Sequence, residues 1–489
     1  MKKLIKINAD DNVAVALEAI QKGYTEDGIC ALEDIPFGHK ILLCDLKKGE
    51  SVIKYGYPIG HITADLPKGS YVHEHNLKTD LADKHEYAFS GDNEYNVIPS
   101  DLTVNAYRRK NGSVGIRNEL WIISTVGCVN STVHTLESLS RDVVGDEIDG
   151  VCALTHPYGC SQMDDDQENT RRVLASLINH PNAGGVLVVS LGCENTGFET
   201  LKGYLGDYDK SRVKLLVCQD TDDELGDGLK LIEELYNGMK TDRREAVNIS
   251  ELKVGFKCGG SDAFSGITAN ALCGLVCDKL TSFGASAVLT EVPEMFGAEH
   301  LLMERSLNKE VFKKQVNMIN SFKDYFASNG QVCYENPSPG NHEGGITTLE
   351  EKSLGCVQKG GKSVVCDVLN YAESCRKNGL SLLYGPGNDI VSTTNLTASG
   401  VHMVIFTTGR GTPLGAPVPT VKVSSNTPLF EKKKRWIDFN AGEALEGREL
   451  SDLADGLMKK IISFANGEKT KNELSSNREI AIFKTGVTM

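Results

Sequence analysis

Several signatures that would assign this chain to a broad class are missing from it. No run of apolar residues approaches the length of a membrane span, and the basic start of the chain is not followed by the apolar core of a secretion signal. No GxxxxGKS/T phosphate loop occurs, and no GxGxxG follows a predicted strand. No basic stretch is longer than residues 432–435. We therefore expect a cytoplasmic protein that contacts neither a membrane nor nucleic acid.

The composition is that of a globular protein, with 40% hydrophobic and 24% charged residues. The 489 residues suffice for two to four domains, each with a core of its own. The net charge of −14 disfavours nucleic acid, because the phosphates would be repelled. An acidic small substrate would therefore need a local cation or a metal ion.

The fourteen cysteines are scattered, and no CxxC pair occurs among them. A disulfide framework is not expected in a chain of this size without a secretion signal. Four cysteines follow apolar runs that predict strands, namely Cys128, Cys160, Cys193 and Cys258. Any one of them could be a buried small hydrophobe, but four at strand ends indicate a site.

Residues 1–82 predict a small domain rich in strands. Helical spacing of apolar residues predicts a helix over 13–22, and short strands follow at 28–32, 40–43, 51–53 and 70–72. The domain ends in His73 and His75, which would share one face of a strand and could hold a metal ion or an anion. A solvated strand end is the alternative. Residues 83–104 are polar and predict a linker.

From residue 105 onward, apolar runs alternate with stretches long enough for crossover helices. The runs lie at 120–126, 151–154, 185–191, 213–218, 252–256 and 286–290. This alternation predicts an α/β fold with mostly parallel sheets covered on both faces. A charged stretch near 237–250 suggests a boundary, which divides this region into domains at 105–245 and 246–489.

Ligands of such sheets bind beyond the carboxyl ends of the strands. The predicted ends are all short and polar, and the richest is the KCGGSDAFSGITAN segment at 257–270. Its glycines would let backbone N–H groups approach a ligand, although a capped turn between strand and helix is the alternative.

Two loops of the last third also suggest a site. The NPSPGN segment at 336–341 is too rich in Pro and Gly for a regular element, and such loops often line a site. The strand predicted at 402–406 leads into a turn in which hydroxyls and glycines surround Arg410. Arginine recognises carboxylates with two parallel hydrogen bonds, and a phosphate cradle is the competing interpretation.

The motifs of the whole chain resemble those of a known family. They are His39-Lys40, KYGYPIG at 54–60, VHEHNL at 72–77, Tyr107-Arg108-Arg109, GIRN at 115–118, the turns at His156 and Cys193, CGGSDAFSG at 258–266, TEVPE at 290–294, NPSPGN at 336–341 and FTTGRGTP at 406–413. The sequence resembles the altronate and galactarate dehydratases, which are sugar-acid hydro-lyases. One departure is Lys257, where we expect Glu or Gln and assume a side chain that points outward.

The resemblance implies a small N-terminal β-clip domain of the SAF type, followed by the large α/β region. The His-x-His-Asn segment and the length resemble the altronate branch. That branch implies conversion of D-altronate to 2-dehydro-3-deoxy-D-gluconate and water in hexuronate breakdown, with a requirement for divalent iron or manganese. A related hydro-lyase or lyase acting on galactarate or sulfolactate is the first rival, and a sugar-acid sensor without turnover is the second. A homodimer is a further expectation.

Dehydration of a 2,3-dihydroxy acid needs a base, an acid and a cation for the developing charge. Our hypothesis assigns acid and base work to His156, Glu194, Asp262, Glu291 and Glu294. The substrate would be held by Gly259, Gly260, Ser261, Ser265, Asn341, Thr407, Thr408 and Arg410. The metal would be bound either by His73 and His75, or by thiolates among Cys128, Cys160, Cys193, Cys258 and Cys356. An iron–sulfur cluster stays open as an alternative.

Overall fold

The computed structural model describes residues 2–81 and 87–489. Positions 82–86, which include the predicted boundary and the start of the predicted linker, lie outside the described residues. The strands are β1 Leu4–Ile5, β2 Val13–Ala16, β3 Thr25–Glu26, β4 Ile29–Cys30, β5 Lys40–Leu42, β6 Ser51–Lys54, β7 Tyr57–Ile62, β8 Tyr71–Val72, β9 Leu77–Lys78, β10 Thr103–Arg108, β11 Val114–Gly115, β12 Glu119–Ser124, β13 Gly150–Leu154, β14 Ala183–Ser190, β15 Val213–Val217, β16 Glu245–Asn248, β17 Lys253–Cys258, β18 Ser286–Leu289, β19 Val365–Leu369, β20 Gly379–Leu383, β21 Met403–Thr408, β22 Thr420–Ser424 and β23 Phe439–Asn440.

The α-helices are α1 Asn130–Leu139, α2 Asp164–Ile178, α3 Phe198–Leu205, α4 Glu224–Met239, α5 Ala269–Ser282, α6 Glu299–Met303, α7 Lys309–Ser328, α8 Pro339–Glu343, α9 Leu349–Cys356, α10 Asp389–Ala398, α11 Thr427–Lys432, α12 Leu450–Ala465 and α13 Lys471–Leu474. Short 3-10 helices lie at Gly127–Val129, Ser140–Asp142, Cys218–Asp220, Ile249–Glu251, Val292–Glu294, Val357–Gly360 and Gly442–Glu446. No helix in the described part of the chain is long and apolar enough to cross a membrane.

The N-terminal β unit, residues 2–81, consists of short antiparallel sheets in the order β1-β2-β5-β8, β6-β7-β9 and β3-β4. The helix expected over 13–22 is wrong, because Val13–Ala16 is the strand β2. Its residues alternate between two covered faces. Ala14 and Ala16 join one apolar cluster of this unit, whereas Val15 packs against Ala263 and Phe264. A strand buried on both faces loses the polar residues that would mark its period of two.

Residues 87–102 contain no helix or strand and lie along the C-terminal part of the chain. The ring of Phe89 lies 5.4 Å from that of Phe312, and Tyr95 Oη donates to the backbone oxygen of Thr281 at 2.9 Å. These contacts attach the segment to the C-terminal unit and not to the middle unit, which follows it in the chain.

The middle unit is built on a parallel sheet with the strand order β13-β12-β14-β15. Helices α1 and α4 cover one face, where Leu136 and Leu235 pack in one core cluster. Helices α2 and α3 cover the other face, where Leu177 and Leu201 pack in a second cluster. Burial on both faces explains why β12 and β14 are almost continuously apolar.

The C-terminal unit is a seven-stranded parallel sheet with the order β19-β20-β18-β17-β21-β22-β23. Helices α5 and α12 contribute to the core on one face, and Leu396 of α10 contributes to the cluster that contains α2 of the middle unit. The α/β class with mostly parallel sheets and a small N-terminal strand unit is thereby confirmed. The carboxyl ends of the central strands β17, β18, β20 and β21 meet at one edge of this sheet.

Candidate active site

A cavity of about 880 Å³ opens at the carboxyl ends of the C-terminal sheet. Cys258, Gly259 and Gly260 line it at the end of β17, and Glu294 lines it after β18. Other lining residues come from the loop before α8, from α9, from the start of α10 and from the loop after β21. Its size and polar lining suit a small oxygen-rich molecule.

Cys258 is the centre of a buried group on the cavity wall. Its Sγ lies 3.1 Å from Glu294 Oε2 and 3.4 Å from the Sγ of Cys356, which is the last residue of α9. Lys359 Nζ lies 2.9 Å from Cys258 Sγ, and Lys352 Nζ lies 2.9 Å from Glu294 Oε1. All five side chains are buried, so thiols, a carboxylate and two ammonium groups meet in one region of low dielectric constant.

Helix α9 and the turn after it bring three of these residues to one place. Lys352, Cys356 and Lys359 are separated by four and three residues, and this spacing places side chains on the same side of a helix. Thr348 accepts a hydrogen bond from the backbone N–H of Glu351 and begins the helix. The short helix thus directs two cations and a thiol toward the ends of β17 and β18.

Lys257 and Glu291 form a second buried pair below Cys258. Lys257 Nζ lies 2.9 Å from Glu291 Oε1 and also binds Asp389 of the cavity lining. The expectation that Lys257 points outward is wrong, because its side chain is completely buried. Adjacent residues of a strand point to opposite faces of the sheet. The side chain of Lys257 therefore contacts Glu291 and Asp389, whereas that of Cys258 contacts Glu294 and Cys356.

Glu291 has a left-handed backbone with φ of 73°, which a residue with a side chain rarely adopts. Such a conformation costs on the order of 1–3 kcal/mol. It lets the Glu291 carboxylate accept from the backbone N–H of Cys258 at 3.3 Å. The strained residue is therefore the one whose carboxylate contacts both Cys258 of the cavity wall and the side chain of Lys257.

The two thiols of the group have different pKa values. The hydrogen bond from Cys356, together with the charge of Lys359, lowers the pKa of Cys258 to about 7 in spite of burial. The same hydrogen bond raises the pKa of Cys356 well above its usual value. The pair therefore keeps one proton, on Cys356, while Cys258 is available as a thiolate near neutral pH.

The two carboxyl groups differ in the same way. Burial and the neighbouring Glu294 raise the pKa of Glu291 well above its usual value. Burial alone would also raise the pKa of Glu294, but Lys352 and Lys359 outweigh it and hold it at about 2. A pair of acids with separated pKa values is the arrangement that acid and base catalysis requires.

The group can also hold a metal ion. The ligand atoms of Cys258, Glu294 and Cys356 all lie within 4.8 Å of one another. Two thiolates and a carboxylate suit iron or zinc better than they suit magnesium or calcium. The residues fit a divalent metal by donor type and by spacing, and the ammonium groups of Lys352 and Lys359 now balance the charge of the donors.

Comparison with other sequences identifies the family. Family models match three consecutive parts of the chain: "Altronate/galactarate dehydratase SAF domain" over residues 2–80, "D-galactarate dehydratase/Altronate hydrolase, second domain" over 106–240, and "D-galactarate/Altronate dehydratase, C-terminal" over 249–488. The chain belongs to the altronate and galactarate dehydratase family. The resemblance drawn from its motifs and the N-terminal SAF domain are confirmed.

Relatives within this family extend over the full length of the chain. The "Altronate dehydratase" of Escherichia coli K12 is 49% identical and covers 99% of both chains. The "Altronate dehydratase" of Bacillus subtilis 168 is also 49% identical and covers 100% of both. The "Galactarate dehydratase (L-threo-forming)" of Escherichia coli K12 is 33% identical over 98% of this chain and 96% of its own.

The structure brings only some of the predicted site residues of this family member together. Gly259, Gly260, Asn341 and Glu294 line the cavity with Cys258. Glu291 lies directly behind them and contacts the backbone of Cys258. These residues share the edge of the C-terminal sheet.

Asp262 and Ser265 lie beside the cavity and not in its described lining. Asp262 Oδ1 accepts from Ser265 and Ser425, each at 2.8 Å, and Oδ2 accepts from Asn426 at 3.0 Å. Burial raises the pKa of Asp262. Its visible contacts join the loops that follow β17 and β22.

The remaining predicted substrate residues make hydrogen bonds or ion pairs with other residues of the protein. Ser261 accepts from Asn341 through its backbone oxygen at 2.8 Å, and Thr407 Oγ1 donates to Asn270 at 2.6 Å. Thr408 Oγ1 accepts from the backbone N–H of Gly411 at 2.8 Å. Arg410 is exposed, and its Nη2 lies 2.8 Å from Glu343 Oε2. Its guanidinium group therefore already binds a carboxylate of the protein.

His73 and His75 lie where the SAF domain contacts the C-terminal unit. Residues 73–76 form a turn, so the two histidines do not share a strand face as expected. His73 Nδ1 lies 3.1 Å from Thr347 Oγ1, and burial and Lys40 lower the pKa of His73 to about 3. His75 lies against the ring of Tyr71.

The other five predicted residues, His156, Glu194, Cys128, Cys160 and Cys193, lie in the middle unit at the carboxyl ends of its sheet. His156 is buried, and its Nε2 lies 3.0 Å from the backbone oxygen of Ser124. Burial lowers the pKa of His156 to about 4. The sequence hypothesis therefore assigned to one site residues that lie at the edges of two different sheets, the middle one and the C-terminal one.

Sequence reasoning missed Lys257, Lys352, Lys359 and Asp389. The helical spacing of Lys352, Cys356 and Lys359 was a signal that could have found two of them. Asp389 follows β20 in a Pro-Gly-Asn-Asp turn, which is another polar strand end.

Proposed function

We propose that this chain is a hydro-lyase that converts D-altronate to 2-dehydro-3-deoxy-D-gluconate and water. The observation that carries the proposal is the buried group of Cys258, Glu294, Cys356, Lys352 and Lys359 on the wall of a polar cavity. The substrate follows from the two relatives named altronate dehydratase, each 49% identical over essentially the whole chain.

The reaction removes the proton from C2, next to the carboxylate, and the hydroxyl from C3. The proton and the hydroxyl leave together as water, and the resulting enol becomes the 2-keto acid. Negative charge accumulates on the substrate carboxylate when the C2 proton departs, so a fixed positive charge there lowers the barrier. Lys352 lines the cavity, and its pKa is raised by Glu294 and the two thiols, which outweigh burial. It stays protonated and can bind the carboxylate.

Asp389 is our candidate for the base. It lines the cavity, and Lys257 binds its Oδ1. The second oxygen is then available to accept the C2 proton and to return a proton to the departing hydroxyl. Asn336 and Asn341 line the same cavity and can bind substrate hydroxyls.

Cys258, Glu294 and Cys356 would hold the divalent metal that the resemblance implies. A divalent ion bound there would supply Lewis-acid stabilisation of the charge that develops on the substrate. The two thiolates favour iron over manganese.

The test is formation of 2-keto acid by the purified chain from a panel of D-altronate, galactarate and sulfolactate, with iron or manganese added anaerobically. We expect turnover of D-altronate and a loss of at least about a hundredfold in kcat for Asp389→Asn. Glu373→Gln, at an exposed turn outside the cavity lining, is the matched control. Turnover of another acid in preference to D-altronate would reject the substrate, and an active Asp389→Asn would reject the base.

Three further expectations stay proposals. They are the division into domains at 1–82, 105–245 and 246–489, the cytoplasmic location, and the homodimer.

A further inference from the structure

Three exposed thiols lie together at one edge of the middle sheet. Cys160, Cys128 and Cys193 follow β13, β12 and β14, which are neighbours in that order. All three are exposed, although free cysteine is among the most buried residue types. Neighbouring strands lie about 4.8 Å apart, so the three turns that carry the thiols start within two strand spacings of each other.

Hydrogen bonds join the three turns directly. Gly127 N donates to the backbone oxygen of Tyr158 at 2.9 Å, which connects the turns of Cys128 and Cys160. Thr196 N donates to the backbone oxygen of Gly159 at 3.1 Å, which connects the turns of Cys160 and Cys193. The Cys128 turn lies between the other two, and all three form one connected rim.

A buried histidine and a partly buried glutamate hold this rim in shape. Both ring nitrogens of His156 contact backbone, because Nε2 lies 3.0 Å from Ser124 O and Nδ1 accepts from Tyr158 N at 3.1 Å. Glu194 accepts from Thr125 Oγ1 at 2.5 Å and from Gly192 N at 2.7 Å. Burying such groups is costly unless they are bonded. Their contacts fix the turns that present Cys160 and Cys193.

The rim also contains buried polar atoms without a hydrogen-bond partner among the described residues. They are Ser124 Oγ, Asn130 Oδ1, Gln162 Nε2, Arg171 Nε and Thr196 Oγ1. Ser124, Gln162 and Thr196 are at least 97% buried. Four of the five atoms can donate a hydrogen bond. Gln162 and Thr196 lie on the loops that carry Cys160 and Cys193, Ser124 ends β12, and Arg171 lies in α2. Unsatisfied buried donors this close in sequence to the thiols point to an anionic, hydrogen-bond-accepting ligand.

We propose that Cys128, Cys160 and Cys193 bind an iron–sulfur cluster, separate from the Cys258 group. Thiolates hold such clusters, and hydrogen bonds to the cluster sulfides stabilise them. A single ion with metal–sulfur bonds of about 2.3 Å requires its ligands to lie within about 4.6 Å of each other. Among the described residues, Cys258, Glu294 and Cys356 form the only group of three or more such ligands whose atoms all lie within 4.8 Å of one another. The three exposed thiols are therefore not all close enough to bind one ion, whereas a cluster can bridge more widely spaced thiolates.

Three thiolates would bind three corners of a cubane cluster. The corner that remains would be open to an oxygen or nitrogen ligand from solution. Cys218, after the edge strand β15, packs against the apolar core of the middle unit and is not assigned to the cluster.

The experiment is anaerobic reconstitution of the full-length protein with iron and inorganic sulfide, followed by assays of iron, acid-labile sulfide and visible absorbance. We expect the wild type to retain sulfide and a broad visible band. Cys128→Ser, Cys160→Ser and Cys193→Ser should each retain several-fold less of both. Cys44→Ser, at an exposed thiol of the SAF domain, is the matched control and should behave as the wild type.

Cys258→Ser separates this proposal from the proposed function. It should keep the sulfide and the visible band while losing dehydration of D-altronate. Circular dichroism and melting temperature show whether each variant is folded, and exposed substitutions usually change stability little. Absence of sulfide in the reconstituted wild type, iron without sulfide, or equal sulfide in the folded Cys193→Ser variant would each overturn the cluster.

Discussion

Glu351 and Lys352 are consecutive residues of α9, yet their side chains end in two different buried charge groups. Glu351 binds Lys40 Nζ at 2.9 Å and Lys54 Nζ at 2.7 Å, both from the SAF domain. Lys352 binds Glu294 on the cavity wall at 2.9 Å. One short helix therefore connects the docking of the SAF domain to the geometry of the candidate active site.

The pKa values of the two lysines that bind Glu351 are shifted in opposite directions. Burial alone would lower the pKa of both, and it lowers the pKa of Lys40 to about 8. For Lys54 the attraction of Glu351 outweighs burial, and the pKa is raised. Lys40 also donates to Thr347 Oγ1 at 2.7 Å and to Gly345 O at 2.8 Å. The carboxylate is thus the group on which both lysines depend.

Replacing Glu351 with Gln should destabilise the protein by about 3–5 kcal/mol, because two buried ammonium groups would lose their counterion. Denaturant unfolding followed by fluorescence and circular dichroism measures the change. The matched control is Asp65→Asn, which removes an exposed pair with Lys47 and should cost less than about 1 kcal/mol. Equal losses in the two variants would contradict the role of the buried group.

The same carboxylate predicts a dependence of stability on acid. Lys40 and Lys54 outweigh burial and lower the pKa of Glu351 from 4.5 to about 2. A lowered pKa stabilises the folded state above the unfolded value, by about 3 kcal/mol here. This contribution should disappear as the pH falls from about 4.5 to about 2. The difference in stability between wild type and Glu351→Gln should therefore shrink over that range, and a constant difference would contradict the assignment.

Periodicity predicted the parallel sheets well, because strands buried on both faces are continuous apolar runs. It failed at β2 for the same reason, since Val15 packs against Phe264 of another unit and the polar half of the pattern is absent. Polar strand ends indicated Cys258 and Glu294, and both residues line the cavity. The boundary predicted near residue 245 separates β12 from β17, but the sequence did not show how far apart the ends of the two strands lie, so His156 was grouped with residues that it does not contact.

The lysines of the site were harder to predict than its carboxylates. Lysine is normally a surface residue, and a lysine on a short helix suggests a solvated face. Lys352 and Lys359 are buried where their side chains reach Glu294 and Cys258 on the cavity wall. Those partners come from strand ends far from α9 in the sequence, and Cys258 is 101 positions from Lys359.

Replacing Lys352 with Gln should lower kcat/KM for the sugar acid by about a hundredfold or more, because a buried charge beside the reacting carboxylate is lost. The pKa of Glu294, which Lys352 and Lys359 now hold at about 2, should rise toward its usual value. Steady-state kinetics over a range of pH measure both effects. Lys362→Gln, on the exposed turn after Gly361, is the matched control. An unchanged pH profile in Lys352→Gln would contradict the coupling to Glu294.

Two glycines of the same cavity give the sharpest test of its geometry. A Cβ at Gly259 would lie 2.7 Å from Asp389 Oδ2 and 2.8 Å from the ring of Phe406, whereas a Cβ at Gly387 would meet nothing within 4 Å. The Phe406 ring is buried and cannot retreat, so Gly259→Ala should displace Asp389 from Lys257 and cost about 1–3 kcal/mol of stability. If Asp389 is the base, kcat should fall much more than stability, while Gly387→Ala should change neither. Kinetics and unfolding of the two variants measure this, and a fully active Gly259→Ala would show that catalysis does not depend on the position of Asp389.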